Sequence, residues 1–309
     1  MGSLPTAFIT HPACAEHDLG AWHPEQPSRI AAVDQALRRD PESSALIRIE
    51  APAATRDALE RVHPAAYLDT LIKATPRSGV NWVDPDTGLC VRSWEAALHA
   101  AGAGVKAVDD MLAGDYQRAF CNVRPPGHHA ESARAMGFCL LNNIAVAARH
   151  ALDQPGIGRV AIVDFDVHHG NGTEQIFDGE ERVLLLSSFQ HPFYPGCGTV
   201  AHPGYVPMPL PAGTDGAGFR AVWEQRGLPA LEAHAPDFVL ISAGFDAHRD
   251  DPLAGLNLLE EDFAWLTDEV CRIADVHAGG RVVALLEGGY DLPALGRSAA
   301  AHVRALMHA

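Results

Sequence analysis

From residue 118 onward, apolar runs of strand length alternate with stretches of helical periodicity. The runs are Arg118 to Val123, Arg159 to Phe165, Val183 to Ser187, Phe238 to Ala243 and Arg281 to Leu286; the helical stretches are 143 to 152, 173 to 178, 260 to 277 and 293 to 308. Continuous apolar runs suit strands covered on both faces, and strands separated by helices pair in parallel. The alternation predicts an α/β fold with a central, mainly parallel sheet flanked by helices. In 309 residues, 47% of them hydrophobic, there is material for a large core, and no repeat, low-complexity tract or linker breaks it. Residues 1 to 309 therefore read as a single domain.

The first 75 residues read as helices separated by prolines. Ser28 is placed to cap a helix over Arg29 to Arg38, Thr55 to cap one over Arg56 to His63, and Pro64 to open a turn carrying Tyr67, Leu68 and Leu71. Residues 76 to 91, rich in Pro, Gly, Asp and Asn, read as a long exposed loop before an Ala-rich helix from Ser93 to Ala113. A net charge of −16 repels polyanions, which argues against nucleic-acid binding and favours cationic partners. No apolar run approaches the roughly 18 to 20 residues that span a bilayer, and Met1 to Asp18 lacks a secretion signal's basic and apolar blocks. Met1, Gly2 and Thr6 fit the N-myristoylation pattern, which is too short to carry weight. Six cysteines without a C-x-x-C pair point to reduced thiols and a cytoplasmic location.

Ligands of open parallel sheets bind beyond the carboxyl ends of the strands. There the sequence places Arg124-Pro-Pro-Gly-His128-His129, Asp164-Phe-Asp166-Val-His168-His-Gly-Asn171, Ser242-Ala-Gly-Phe-Asp246 and Glu287-Gly-Gly-Tyr290. Asp166 and His168, two apart, share one side of an extended segment, as a chelating pair must, and Asp246 could supply a third ligand. Two carboxylates, an imidazole and a water make a hydrolytic zinc site. Taken alone, a hydrogen-bonded turn explains Asp-x-His better; the coincidence of four such strand ends reverses that judgement. Imidazole at His128 and His129 suits proton transfer to and from a hydrolysed amide, with Asp164 and Asn171 available to hold the rings. Tyr290, behind two glycines, could donate its hydroxyl to an oxyanion.

These motifs resemble the zinc-dependent histone deacetylase superfamily, which includes acetylpolyamine amidohydrolases and bacterial histone deacetylase-like amidohydrolases. The resemblance runs from His23-Pro-Glu-Gln-Pro-Ser-Arg29 through Gly137 to Asn143, Val163 to Thr173 and Asp251 to Leu258, to Leu286-Glu-Gly-Gly-Tyr290. Asn171 and the Leu-Glu-Gly-Gly-Tyr form resemble its class II branch. The resemblance implies Zn2+ on Asp166, His168 and Asp246, Tyr290 polarising the acyl oxygen, His129 as principal general base and acid, and His128, backed by Asp164, as an electrostatic partner. It further implies tunnel walls at Phe138 and Tyr194, and Arg29 beside an internal channel that releases acetate. Structural K+ is implied near Asp164, Asp166, His168 and Ser187, and in some members a second near Phe177. Two departures stand out. The aromatic pair reads Phe193-Tyr194-Pro195, and Asn171 replaces a carboxylate behind the second histidine, which makes His129 less basic.

The expected activity is removal of an acyl group from the ε-amino group of lysine in proteins or peptides. Acetylpolyamine deacetylation is the nearest alternative. Leu253 aligns with a position where polyamine-directed relatives carry a carboxylate, which favours lysine, although Asp84 and Asp86 could supply a charge. An arginase-like two-metal site fits poorly, because Gly170 and His248 stand where bridging carboxylates are needed. A silent acyl-lysine binding module would have lost a ligand or Tyr290, and neither is lost. Acyl preference and oligomeric state are not encoded in these motifs.

Overall fold

The computed structural model describes residues 5–309; Met1 and Gly2 of the myristoylation pattern lie outside them. The first elements are β1 (Thr6–Thr10), α1 (Ser28–Arg39), β2 (Ile47–Glu50), α2 (Arg56–Glu60), α3 (Ala65–Ala74), β3 (Val80–Trp82), β4 (Gly88–Cys90) and α4 (Ser93–Ala113). Next come β5 (Arg118–Cys121), α5 (Asn143–Leu152), β6 (Val160–Asp164), α6 (Asn171–Phe177), β7 (Val183–Gln190), β8 (Tyr205–Leu210), α7 (Gly216–Val222) and α8 (Leu228–His234). The chain closes with β9 (Phe238–Ala243), α9 (Glu260–His277), β10 (Val282–Leu286) and α10 (Leu292–His308). Eight strands form one sheet in the order β2-β1-β5-β10-β9-β6-β7-β8, and every neighbouring pair is parallel.

Period-2 side-chain alternation splits the core between the two faces. Ile9, Cys121, Ile162, Leu240 and Leu285 pack toward α4 and α5. Phe8, Phe120, Val163, Ile241 and Leu286 pack toward α1, α9 and α10. Because both faces are covered, central strands such as β6 and β9 are buried at every residue, which is why they read as unbroken apolar runs.

Several local expectations are corrected. Residues 76 to 91 are not one exposed loop: β3 and β4 form an antiparallel hairpin, and Thr87 and Leu89 are buried. Ser28 lies inside α1 rather than capping it, and its hydroxyl has no hydrogen-bond partner. Thr55 does cap α2 by accepting the Ala58 N–H, but that helix stops at Glu60 instead of His63. Strands β1, β2 and β8 and helices α7 and α8 join the elements the periodicity predicts.

Candidate active site

Because the strands are parallel and in register, β5, β6, β9 and β10 end on one rim, and the polar segments that follow them meet there. Beyond β6, Asp166 and His168 turn toward Asp246, which follows β9. His168 Nδ1 lies 3.1 Å from Asp166 Oδ1 and 3.1 Å from Asp246 Oδ2. Among the described residues these three form a group whose candidate ligand atoms all fall within 4.8 Å of one another. The carboxylates are held from behind. Asp246 Oδ1 accepts the Val167 N–H at 2.9 Å, and Asp166 Oδ2 accepts the Gly288 N–H at 2.8 Å. A Cβ on Gly288 would overlap both carboxylates, so glycine is required for this approach.

Two buried carboxylates and an imidazole nitrogen converging on one point fit a divalent cation with mixed oxygen and nitrogen donors. The electrostatics agree. Burial and the neighbouring Asp166 push the Asp246 carboxyl upward, while His168, despite its burial, is raised to about 10 by the two carboxylates. The centre calls for positive charge.

His128 and His129 follow β5 on a turn whose Gly127 and His128 N–H groups donate to Glu287 Oε2 at 2.6 and 3.1 Å. His128 Nδ1 faces Asp164 Oδ2 at 2.9 Å, and His129 Nδ1 faces Asn171 Oδ1 at 2.9 Å. Burial opposes charge on both rings. For His128 the carboxylates of Asp164, Asp166 and Glu287 outweigh it and raise the pKa well above the ordinary imidazole value; for His129 the neighbouring His128 and His168 add to it and the pKa falls well below. The adjacent rings thus sit in opposite company: carboxylates favour the charged form of His128, and neighbouring imidazoles favour the neutral form of His129.

A single cavity is lined by His129, His168, Tyr290, Phe138, Tyr194 and Leu253, bringing together every tunnel residue the sequence suggested. Tyr194 meets His129 edge-on at 5.2 Å and His168 edge-on at 6.1 Å, whereas Phe193 stacks on His168 at 5.3 Å. Phe138 meets Tyr290 edge-on at 5.9 Å and takes φ +68°, a strained conformation for a non-glycine residue. Its N–H donates to Thr87 Oγ at 2.9 Å, which ties the tunnel wall to the hairpin. Ser187 lies beside Asp164 in the β6–β7 register, with its hydroxyl 3.3 Å from His169 Nδ1. Phe177, at the end of α6, lies under the Arg149 guanidinium.

Arg29 is fully buried. It donates to the Gly289 carbonyl at 2.7 Å, to the Glu287 carbonyl and to Glu25, with its guanidinium over the Tyr290 ring. It therefore braces the Gly-Gly-Tyr turn. Burial opposes charge on Glu25, but Arg124 and Arg29 outweigh it and lower its pKa to about 2.

Sequence reasoning missed three participants. Glu287 anchors the His-His turn. Asp251 accepts the N–H groups of Leu253 at 2.9 Å and Tyr290 at 2.7 Å, joining mouth to floor. Of the two loop carboxylates the sequence did offer, Asp86 lines the cavity and Asp84 is instead paired with Arg134 at 3.2 Å. Glu131 accepts the Asn171 Nδ2–H at 3.0 Å. Glu287 had a signal, since it directly follows an apolar run; the others lie in irregular segments.

A family model described as Histone deacetylase domain matches residues 23–306, and the chain belongs to that family of deacetylases and amidohydrolases. It is 38% identical over 299 residues to the histone deacetylase-like amidohydrolase of Pseudomonas aeruginosa, covering 94% of this chain and 77% of that protein. A probable deacetylase of Archaeoglobus fulgidus is 36% identical over 298 residues, covering 94% and 82%. The crystal structure of the HDA15 HD domain aligns with a TM-score of 0.92 at 34% identity, covering 99% of this chain and 90% of that one.

Proposed function

We propose that the chain, acting as one catalytic domain in the reducing cytoplasm, is a zinc-dependent amidohydrolase that removes acetyl or a related acyl group from the ε-amino group of lysine. The observation that carries this reading is the convergence of Asp166, His168 and Asp246 with His129 and Tyr290 on one aromatic-walled cavity. Zinc held by the three side chains supplies a Lewis acid for the acyl carbonyl and lowers the pKa of water.

The chain's own residues do the rest. Phe138, Tyr194 and Leu253 enclose an apolar lysine stem, and the Tyr290 hydroxyl donates to the acyl oxygen as negative charge develops there. His129, with Nδ1–H given to Asn171, keeps its Nε2 lone pair and takes a proton from water as the water oxygen bonds to the acyl carbon. It then returns that proton to the nitrogen of the breaking C–N bond, so the products are a carboxylic acid and an amine, and the acid's proton passes to the amine to give carboxylate and ammonium. The charged His128, held by Asp164, stabilises the oxyanion without leaving its place. Among the described residues no helix is long and apolar enough to cross a membrane. Structural K+ beside Asp164, Asp166, His168 and Ser187 is part of the proposal.

Asp86 keeps the acetylpolyamine alternative in play, because it places at the cavity a carboxylate able to meet a second ammonium. A steady-state panel of acyl-lysine peptides and acetylpolyamines, run with measured zinc and potassium content, decides between them. Higher kcat/KM on peptides supports lysine; higher kcat/KM on acetylpolyamines transfers the assignment. Tight binding of acyl-lysine without turnover by zinc-loaded protein would make the chain a binding module instead.

A further inference from the structure

An imidazole takes a proton at Nε2 only while its own proton sits on Nδ1, and its hydrogen-bond partner chooses between these tautomers. His128 faces a carboxylate, which only accepts, so its Nδ1 must carry hydrogen. His129 faces the amide of Asn171, whose two ends are nearly alike in shape and opposite in role. A half-turn of that amide would present N–H to Nδ1, drive the ring proton to Nε2 and abolish its ability to take a proton from water.

The structure contains a group that distinguishes the two orientations. With Oδ1 toward His129, Asn171 Nδ2 donates to Glu131 Oε1 at 3.0 Å. Turned over, the amide would set its oxygen against that carboxylate. Among the described residues the other acceptor at Nδ2 is Met136 Sδ at 3.4 Å, a weak one that holds the amide far less firmly. Glu131 is half-buried, and its backbone is fixed by a turn in which its N–H donates to the Arg134 carbonyl at 3.0 Å.

We propose that Glu131 is a positioning residue which fixes the Asn171 amide and, through it, the tautomer of His129. The catalytic part of this inference rests on the reading of His129 as general base; the tautomer part does not. In zinc-loaded protein carrying nitrogen-15 histidine, long-range proton–nitrogen spectra report which ring nitrogen of His129 bears hydrogen. Wild type is expected to show Nδ1–H, and Glu131→Ala a mixture of tautomers. A wholly wrong tautomer costs about 10⁴ in kcat in a serine protease triad. Glu131 only biases the choice, so kcat is expected to fall between about tenfold and 100-fold, with KM little changed.

Rescue separates orientation from general structural damage. Asn171→Asp has two equivalent oxygens and needs no orienting partner, but alone it faces Glu131 charge against charge and loses activity. Combined with Glu131→Ala it should recover most of the loss, whereas independent injuries multiply. Should Glu131→Ala fail to fold, the isosteric Glu131→Gln carries the same tests with a smaller effect. An unchanged His129 tautomer, or a double variant whose loss is the product of the single losses, overturns the proposal. A shifted tautomer with undiminished kcat upholds the role of Glu131 and removes His129 from the base position.

Discussion

The floor and the mouth of the cavity are built on different principles. On the floor, Asp166, Asp246, His128 and Glu287 are buried, and each polar side chain has a named partner delivered by a neighbouring strand end. At the mouth, Leu253, Tyr194 and Asp86 are partly exposed and come from segments outside the eight-stranded sheet. Register in a parallel sheet fixes chemistry; loops set selectivity. Substitutions on the floor should therefore cost orders of magnitude, and those at the mouth only small factors.

Asp246→Ala is expected to remove bound zinc and activity together, because two remaining ligands chelate poorly. Full zinc occupancy in that variant would exclude Asp246 as a ligand. His129→Ala should keep its metal and lose more rate than His128→Ala, since a proton carrier is harder to replace than a fixed charge. Equal losses would erase the distinction between the two rings. Tyr290→Phe should retain zinc and lose on the order of 10² to 10³ in kcat, the usual cost of one oxyanion donor. Wild-type turnover would assign that role elsewhere.

A further test concerns His63, whose ring is buried and whose Nδ1 donates to the Ser132 carbonyl while Nε2 accepts the Asn142 N–H. Burial lowers its pKa to about 4 from an ordinary 6.5. The unfolded chain therefore takes up the proton first. Stability from neutral His63 is complete above pH 6.5 and is lost as pH falls toward 4, about 2 kcal/mol of it by pH 5. Urea unfolding at pH 7 and pH 5 should show a difference smaller by about that amount in His63→Gln. An identical difference would mean that the ring is not kept neutral.

The smallest effect belongs to the mouth. Leu253→Glu adds a charge able to pair with the distal amine of an acetylpolyamine, an exposed pairing of about 0.2 to 1 kcal/mol, hence at most roughly fivefold in kcat/KM. The shift toward polyamines should be larger at low salt. A ratio of kcat/KM values that ignores ionic strength would remove Leu253 from the mouth or leave selectivity with Asp86.

The same division governed what the sequence could reveal. Strands buried on both faces announce themselves as apolar runs, and the residues after β5, β6, β9 and β10 were readable because position in a parallel sheet follows from strand order. Edge strands lack that signature. Most of β2 is exposed, and β8 carries Pro207 and Pro209, which a reading of central strands rejects and a sheet edge tolerates. The hairpin of β3 and β4 hid within a Pro- and Gly-rich stretch, because its pairing, not its composition, defines it. Glu131 and Asp251 act through hydrogen bonds across long sequence separations, and one sequence contains no signal for such contacts.

The strand order also bears on how the site is assembled. Among the described residues, the block β2-β1-β5 and the block β9-β6-β7-β8 are joined in the sheet through β10, which comes after all of them along the chain. His128 and His129 come from one block, Asp166, His168 and Asp246 from the other, and Tyr290 from the strand that closes the gap. Asp166, His168 and Asp246 follow strands that are direct neighbours, whereas His128, His129 and Tyr290 join them only when β10 seats between the two blocks. The complete centre is thus a property of the closed sheet and not of either block alone.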